Sequence, residues 1–152
     1  MTALADRLRA QIERDGPLSV AAYMTACLLH PTYGYYTRQD PLGRRGDFVT
    51  APEISQMFGE LLGLWTAQVW MDQGAPSRFT LAELGPGRGT LMADALRATR
   101  AVPGFHDAAS LVLVEASPVL RKAQSDQLAA YAPQFVDTVA DLPDGPLFVL
   151  AN

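Results

Sequence analysis

The stretch "FTLAELGPGRGTLM" (Phe79 to Met92) sets an apolar run directly against a turn in which three of five positions, Gly85, Gly87 and Gly89, are glycine. Such a run reads as a buried strand, and the residues after it regain helical spacing, so the chain must make a tight strand-to-helix turn here. Glycine lets a ligand touch the backbone, and a helix N-terminus offers unpaired N–H groups. Downstream, short apolar runs and helices alternate. A helix from Thr90 to about Arg100 precedes "SLVLVEA", a helix from Pro118 to about Ala132 precedes "QFVDTVADL", and "PLFVLAN" ends the chain. Buried runs separated by helices indicate βαβ units, and therefore a doubly wound parallel α/β sheet whose ligands bind at the carboxyl ends of the strands.

Three readings of the glycine turn compete: a nucleotide phosphate, another nucleotide-like cofactor, or a structural turn alone. A phosphate-cradling P-loop needs a closing Gly-Lys-Ser/Thr, and no lysine lies near the turn, which excludes it. Dinucleotide oxidoreductases show GxGxxG, whereas the spacing here is GxGxG and Thr90 takes the last glycine's place. Glu83, two residues before Gly85, would repel a pyrophosphate but attract an ammonium or sulfonium group. S-adenosylmethionine carries both. Glu115 follows the run Leu111 to Val114 and stands at the end of the next strand, where an acid can accept hydrogen bonds from both ribose hydroxyls, in nicotinamide enzymes and methyltransferases alike. Each signal also has a plain structural reading, the glycines as a turn and Glu115 as a solvated strand end. Their conjunction favours a sulfonium cofactor over a nicotinamide.

Composition closes off other classes. The 152 residues, 49% hydrophobic and 18% charged, suit one soluble globular domain. A net charge of -4 leaves no electrostatic footprint for nucleic acid or an anionic membrane, apart from a local basic pair at Arg44 and Arg45. No apolar stretch is long enough to span a bilayer. The single cysteine, Cys27, fits a reducing, cytoplasmic setting and reads as a small buried hydrophobe. His30 and His106 have neither an acid partner nor ligand spacing, so no metal site is expected.

Upstream of the sheet the chain reads as helical. Leu4, Leu8 and Ile12 mark a helix over residues 3 to about 15, stopped by Gly16 and Pro17, and Ser19 can cap a second helix to about Leu29. Residues 30 to 53 lack periodicity and form a long loop, of the length that usually serves function. Its tyrosines, Tyr33, Tyr35 and Tyr36, either wall a site or pack the loop down. Thr50 and Glu53 have capping-box spacing, so a third helix is expected to start there. Its apolar stripe is Ile54, Met57, Phe58, Leu61, Leu62, Trp65 and Val69, with Trp65 in the core and Gly59 and Gly63 available for close packing. The expected division is a helical segment with its loop over residues 1–76 and the sheet domain over residues 77–152.

"GDFVTAPEISQMFGELLGLW" (Gly46 to Trp65) followed by "ELGPGRGTLM" (Glu83 to Met92) resembles the MidA-like family of class I S-adenosylmethionine-dependent methyltransferases. That family includes the mitochondrial arginine methyltransferase needed for respiratory complex I assembly. The similarity extends through "HPTYGYY", "VEASPVLRKAQ" and "LPDGPLFVLAN". The resemblance implies a Rossmann-like class I methyltransferase sheet with a helical N-terminal segment, the cofactor S-adenosyl-L-methionine and a protein arginine side chain as acceptor. By the same resemblance, Glu83, Gly85, Gly87 and Gly89 line the methionine end and Glu115 holds the ribose. Asp141 and Leu142, expected at the end of the third strand, flank the adenine, and Gly46, Thr50 and Pro52 belong to a covering loop. Asp47 and Glu53 are the candidate catalytic carboxylates, since paired hydrogen bonds from a guanidinium would orient it. A cytoplasmic location is expected, with the mitochondrial matrix for eukaryotic relatives. Members of the family continue past the fourth strand, so the chain is expected to be a partial one, ending after that strand.

Overall fold

β1 (Phe79–Leu84) runs inside a four-stranded parallel sheet of order β3-β2-β1-β4, with β2 at Ala109–Val114, β3 at Gln134–Val136 and β4 at Leu147–Ala151. The computed structural model describes residues 2–38 and 50–152; Gly46 and Asp47, like Arg44 and Arg45, lie outside the described residues. Glu83 is level with Leu113 on one side and Leu150 on the other, which aligns the carboxyl ends of the three strands. The chain builds outward from β1 to β3, then returns to the far side of β1 with β4. The direction of winding therefore switches beside β1, the place where such sheets open a binding crevice. The expected doubly wound sheet is present.

"QFVDTVADL" contributes less strand than expected. Only Gln134–Val136 pair with β2, while Val139–Asp141 form a 3-10 turn. The Thr138 backbone N–H and hydroxyl both donate to Asp141 Oδ2, at 3.0 and 2.8 Å, and this local closure bends the chain away from the sheet. Asp141 and Leu142 consequently lie beyond the third strand, not at its end.

The chain forms two compact units, Met1–Pro41 and Leu42–Asn152. In the first, α1 (Ala3–Asp15) starts at Thr2, whose hydroxyl accepts from the Ala5 N–H, and stops at Gly16, where φ is 91°. α2 (Val20–Leu29) is capped by Ser19, whose hydroxyl accepts from the Ala22 N–H. The next turn is closed by His30 Nδ1, which accepts from the N–H groups of Thr32 and Tyr33, and a short helix, α3 (Tyr35–Arg38), follows. Tyr33 lies beneath the Arg7 guanidinium, 5.4 Å from the ring centre, and 5.0 Å from the His30 ring, which is the packing reading of that tyrosine. Cys27 is half-buried, not buried as expected.

In the second unit the expected third helix is two helices. Ser55 is extended (φ −144°, ψ 119°) and separates α4 (Ala51–Ile54) from α5 (Gln56–Asp72). Thr50 makes no side-chain cap, so the expected capping box does not form; only its carbonyl is used, accepting from the Glu53 N–H at 2.9 Å. α5 belongs with the sheet unit, although the division at residue 76 placed it outside. It packs against α6 (Thr90–Ala98) through two glycines. A Cβ on Gly59 would fall 2.7 Å from that of Asp94, and one on Gly63 2.5 Å from Ala95 Cα. Arg97 pins the same contact, reaching Glu60 at 2.9 Å and Asp94 at 2.7 Å.

That close approach decides which face of α5 is buried. Gly59, Gly63, Thr66, Ala67 and Trp70 are inside, because small residues let the helix axes come together. Phe58 and Leu62 pack against the core from the side, but Ile54, Met57, Leu61 and Trp65 are exposed. Trp65 is 62% exposed and Trp70 only 4%, the reverse of the expectation for Trp65. Trp70 donates from Nε1 to the Pro76 carbonyl at 3.0 Å and meets Phe105 edge-on at 5.4 Å, joining the core of Leu81, Leu91, Met92, Leu113 and Leu150.

Candidate functional site

The site grows from the carboxyl end of β1. Gly85, Gly87 and Gly89 all have left-handed φ (59°, 57° and 84°), a conformation that costs an ordinary residue about 1–2 kcal/mol. Their surroundings differ. A Cβ on Gly89 would touch Leu128 Cδ1 at 3.3 Å and Gln124 Cα at 3.7 Å, so that glycine also admits a neighbouring segment of protein. A Cβ on Gly85 would meet no atom of the described residues within 4 Å, so among them its face of the turn is open. The Gly89 N–H donates to the Pro86 carbonyl at 2.8 Å, closing the turn and opening α6.

Glu83 lies under this turn and is 3% exposed. Burial pushes its carboxyl up to about 8, against the opposing effect of a hydrogen bond from the Met92 N–H in the first turn of α6. Its Oε2 is buried and has no hydrogen-bond partner among the described residues. An orphaned carboxylate oxygen in a protein interior is costly unless something cationic or donating completes it. Sequence placed an acid at this point; the structure adds that half of it is unsatisfied.

Glu115 stands just past the end of β2, 8% exposed, with both oxygens oriented. Oε1 accepts from the Ser117 N–H at 2.8 Å, and Oε2 accepts from Gln124 Nε2 at 3.2 Å. Its own N–H donates to the Val136 carbonyl at 3.1 Å, and its carbonyl accepts from Arg121 Nε at 2.6 Å. The carboxylate is thus fixed beside the glycine turn, since the Gly85 N–H donates to the Val114 carbonyl at 3.0 Å.

Glu53 reaches the same region from another element. Its Oε1 accepts from the Thr90 hydroxyl at 2.7 Å, linking α4 to the first residue of α6. Thr90, which stands where a dinucleotide fingerprint would have glycine, therefore ties a distant carboxylate to the turn. Thr50 and the buried Pro52 flank Glu53 on α4. The structure thus gathers Glu53, Glu83, Glu115 and the three glycines around the amino end of α6. Asp141 spends Oδ2 on Thr138, and Leu142 is half-buried after it.

His106 stays outside this constellation. His106 Nε2 shares a 2.9 Å hydrogen bond with the Thr99 hydroxyl, and burial, followed by the nearby Arg100 charge, holds its pKa below the usual value. Among the described residues no group of three or more His, Cys, Asp and Glu side chains could hold a metal ion. No described helix is long and apolar enough to cross a membrane.

One functional candidate escaped the sequence. Gln124 on α7 (Pro118–Gln127) is fully buried and donates to the Gly87 carbonyl at 2.7 Å as well as to Glu115. Glutamine on a polar helix ordinarily faces solvent, so nothing in the local pattern marks it.

Comparison with known proteins brings in the same chemistry. Residues 61–152 match the model of a family described as S-adenosyl-L-methionine-dependent methyltransferase. A Drosophila melanogaster protein named as the mitochondrial protein arginine methyltransferase NDUFAF7 homologue is 48% identical over 92% of this chain and 32% of its own length. The Danio rerio mitochondrial protein arginine methyltransferase NDUFAF7 is 46% identical over 86% of this chain and 31% of its own. A Burkholderia thailandensis crystal structure with bound S-adenosyl-homocysteine superposes with a TM-score of 0.73 at 32% identity, covering 97% of this chain and 40% of that one. The chain spans about a third of the length of the curated relatives it matches.

Proposed function

We propose, from the premise that this chain belongs to the S-adenosyl-L-methionine-dependent methyltransferase family, that it supplies the cofactor-binding part of an enzyme that methylates protein arginine. The observation that carries the reading is the buried Oε2 of Glu83, without a partner among the described residues, beneath a glycine turn whose face at Gly85 no described residue fills. Its chemistry suits the ammonium of the cofactor's methionine part, which would complete the orphaned oxygen and hold the carboxyl in its charged form. Glu115, already oriented by two donors, suits the ribose hydroxyls. Gly85, Gly87 and Gly89 permit the close approach, while Asp141 and Leu142 are assigned to the adenine and Gly46, Thr50 and Pro52 to the covering segment.

The cofactor supplies a methyl group activated by positive sulfur. The protein's part is alignment and exclusion of water, because the acceptor nitrogen must attack in line as the C–S bond breaks and its electron pair goes to sulfur. Glu53 and Asp47 are assigned to orient the guanidinium by paired hydrogen bonds and to receive the proton that the attacking nitrogen loses. Glu53 is suited to this because the Thr90 hydroxyl holds one of its oxygens at the cofactor end of α6. The arginine acceptor is supported by the names of the Drosophila and Danio relatives. The lone Cys27 supports a reducing compartment such as the cytoplasm; those two relatives are named as mitochondrial.

A thermal-shift titration tests the cofactor. Stabilisation by S-adenosyl-homocysteine with none by NADH supports methyl transfer, and the converse overturns it. Transfer of a tritiated methyl group to arginine in candidate proteins tests the reaction; tight cofactor binding with no transfer would reduce the reading to a noncatalytic cofactor-binding member.

A further inference from the structure

We propose that Gln124 is a positioning residue whose side-chain amide sets the Glu115 carboxylate for the ribose and locks it to the glycine turn. The proposal rests on the cofactor reading above and assigns to Gln124 the preference for a ribose over a deoxyribose at that site. Gln124 is 0% exposed, and its Nε2 spans two acceptors, the Gly87 carbonyl at 2.7 Å and Glu115 Oε2 at 3.2 Å. Both partners can only accept, so chemistry fixes the amide with its nitrogen toward them. The consequence is that Oε1 is left buried without a partner among the described residues. A side chain kept only for packing would gain from an apolar replacement that leaves no orphaned acceptor. What the amide provides instead is a rigid link between the two halves of the site, one at the end of β1 and the other at the end of β2.

The second donor to Glu115 is a backbone group, the Ser117 N–H on Oε1. With both oxygens held, the carboxylate cannot rotate, and its remaining lone pairs face a fixed direction. Without Gln124 the Oε2 oxygen loses its anchor, and a hydroxyl pair must order the carboxylate on binding. The other half of the link matters equally. Gly87 is in the left-handed conformation with its carbonyl held by Gln124, so the turn and the carboxylate share one side chain and move together.

The experiment measures dissociation constants for S-adenosyl-homocysteine and for its 2′-deoxyribose counterpart on the purified protein and on Gln124→Met, which keeps length and volume but donates nothing. The wild type is expected to prefer the ribose ligand by about tenfold or more, the range of one hydrogen bond to a charged group. Gln124→Met is expected to bring that ratio below about threefold, chiefly by weakening the ribose ligand. A purely structural glutamine would weaken both ligands alike, so an unchanged ratio overturns the proposal. Should that variant not fold, Gln124→Glu serves in its place. Its carboxyl donates only when protonated, so the ribose preference is expected at pH 5 and lost at pH 8, and a preference independent of pH overturns the proposal. Because the ratio compares two ligands with the same ammonium group, any titration at Glu83 cancels. Wild type that binds neither ligand refutes the cofactor reading and the positioning role with it; wild type that binds both equally refutes only the positioning role.

Discussion

Replacing Glu83 by glutamine removes a charge while keeping the shape, and the structure gives the size of the effect. The folded chain raises this carboxyl from 4.5 to about 8, chiefly by burial. A raised acid favours the neutral form in the folded state. That contribution is complete below about pH 4.5 and is lost as pH rises to about 8. The shift of 8 − 4.5 = 3.5 units, at ~1.4 kcal/mol per unit, amounts to about 5 kcal/mol over the whole interval and to about 3 kcal/mol by pH 7. Glutamine keeps a carbonyl oxygen for the Met92 N–H, and its unpaired NH2 replaces the unpaired O–H of the neutral acid, so the two forms should be similar at low pH. Urea unfolding of the ligand-free protein at pH 5, 7 and 8.5 reads the difference, since every other titrating group cancels between the two proteins. Glu83→Gln is expected to exceed the stability of the wild type by about 1 kcal/mol at pH 5, by about 3 kcal/mol at pH 7 and by more at pH 8.5. Parallel pH curves, or a variant less stable at pH 8.5, would refute the claim that an uncompensated carboxyl lies beneath the turn.

The two tryptophans separate the face of α5 that is buried from the face that only looks apolar. Trp70→Ala should cost about 3–5 kcal/mol and Trp65→Ala within about 0.5 kcal/mol, as read by urea midpoints. Gly63→Ala should destabilise by about 2 kcal/mol or more, because its Cβ would fall 2.5 Å from Ala95 Cα, and a midpoint within error of wild type would contradict that packing. Gly85→Ala meets none of the described residues, so its stability cost is expected to be only the ~1–2 kcal/mol of a left-handed residue, with a larger loss in affinity for S-adenosyl-homocysteine. Thr90→Val removes the hydroxyl that holds Glu53; a stability loss of about 1 kcal/mol is expected, with a larger fall in methyl-transfer rate than in cofactor affinity.

The strand–turn–helix and the two strand-end acids were legible because each depends on one-dimensional signals. Apolar runs fix where β1 and β2 end, and parallel register then aligns Glu83 and Glu115 without further information. The orientation of α5 was not legible for a reason of size. Counting large apolar residues selects Met57, Leu61 and Trp65, whereas the helix is turned by the small residues Gly59 and Gly63, which gain their energy from closeness to α6. Glu53 shows a local rule losing to a distant partner: spacing pointed it at Thr50, but the break at Ser55 frees α4 and the carboxylate bonds to Thr90 instead. Asp141 shows the reverse, a local bond to Thr138 that ends a strand early. Gln124 carried no local signal because its partners, Gly87 and Glu115, meet only when the sheet is assembled.

Calorimetry of S-adenosyl-homocysteine binding in two buffers of different ionisation enthalpy reads whether Glu83 receives a cationic group of the cofactor at the glycine turn. At pH 7 a carboxyl near 8 is about nine-tenths protonated and must lose that proton to face an ammonium, so binding should release about 0.9 proton per site in the wild type and none in Glu83→Gln, which should also bind more weakly. Binding without proton release, or equal affinity in the two proteins, would contradict the claim.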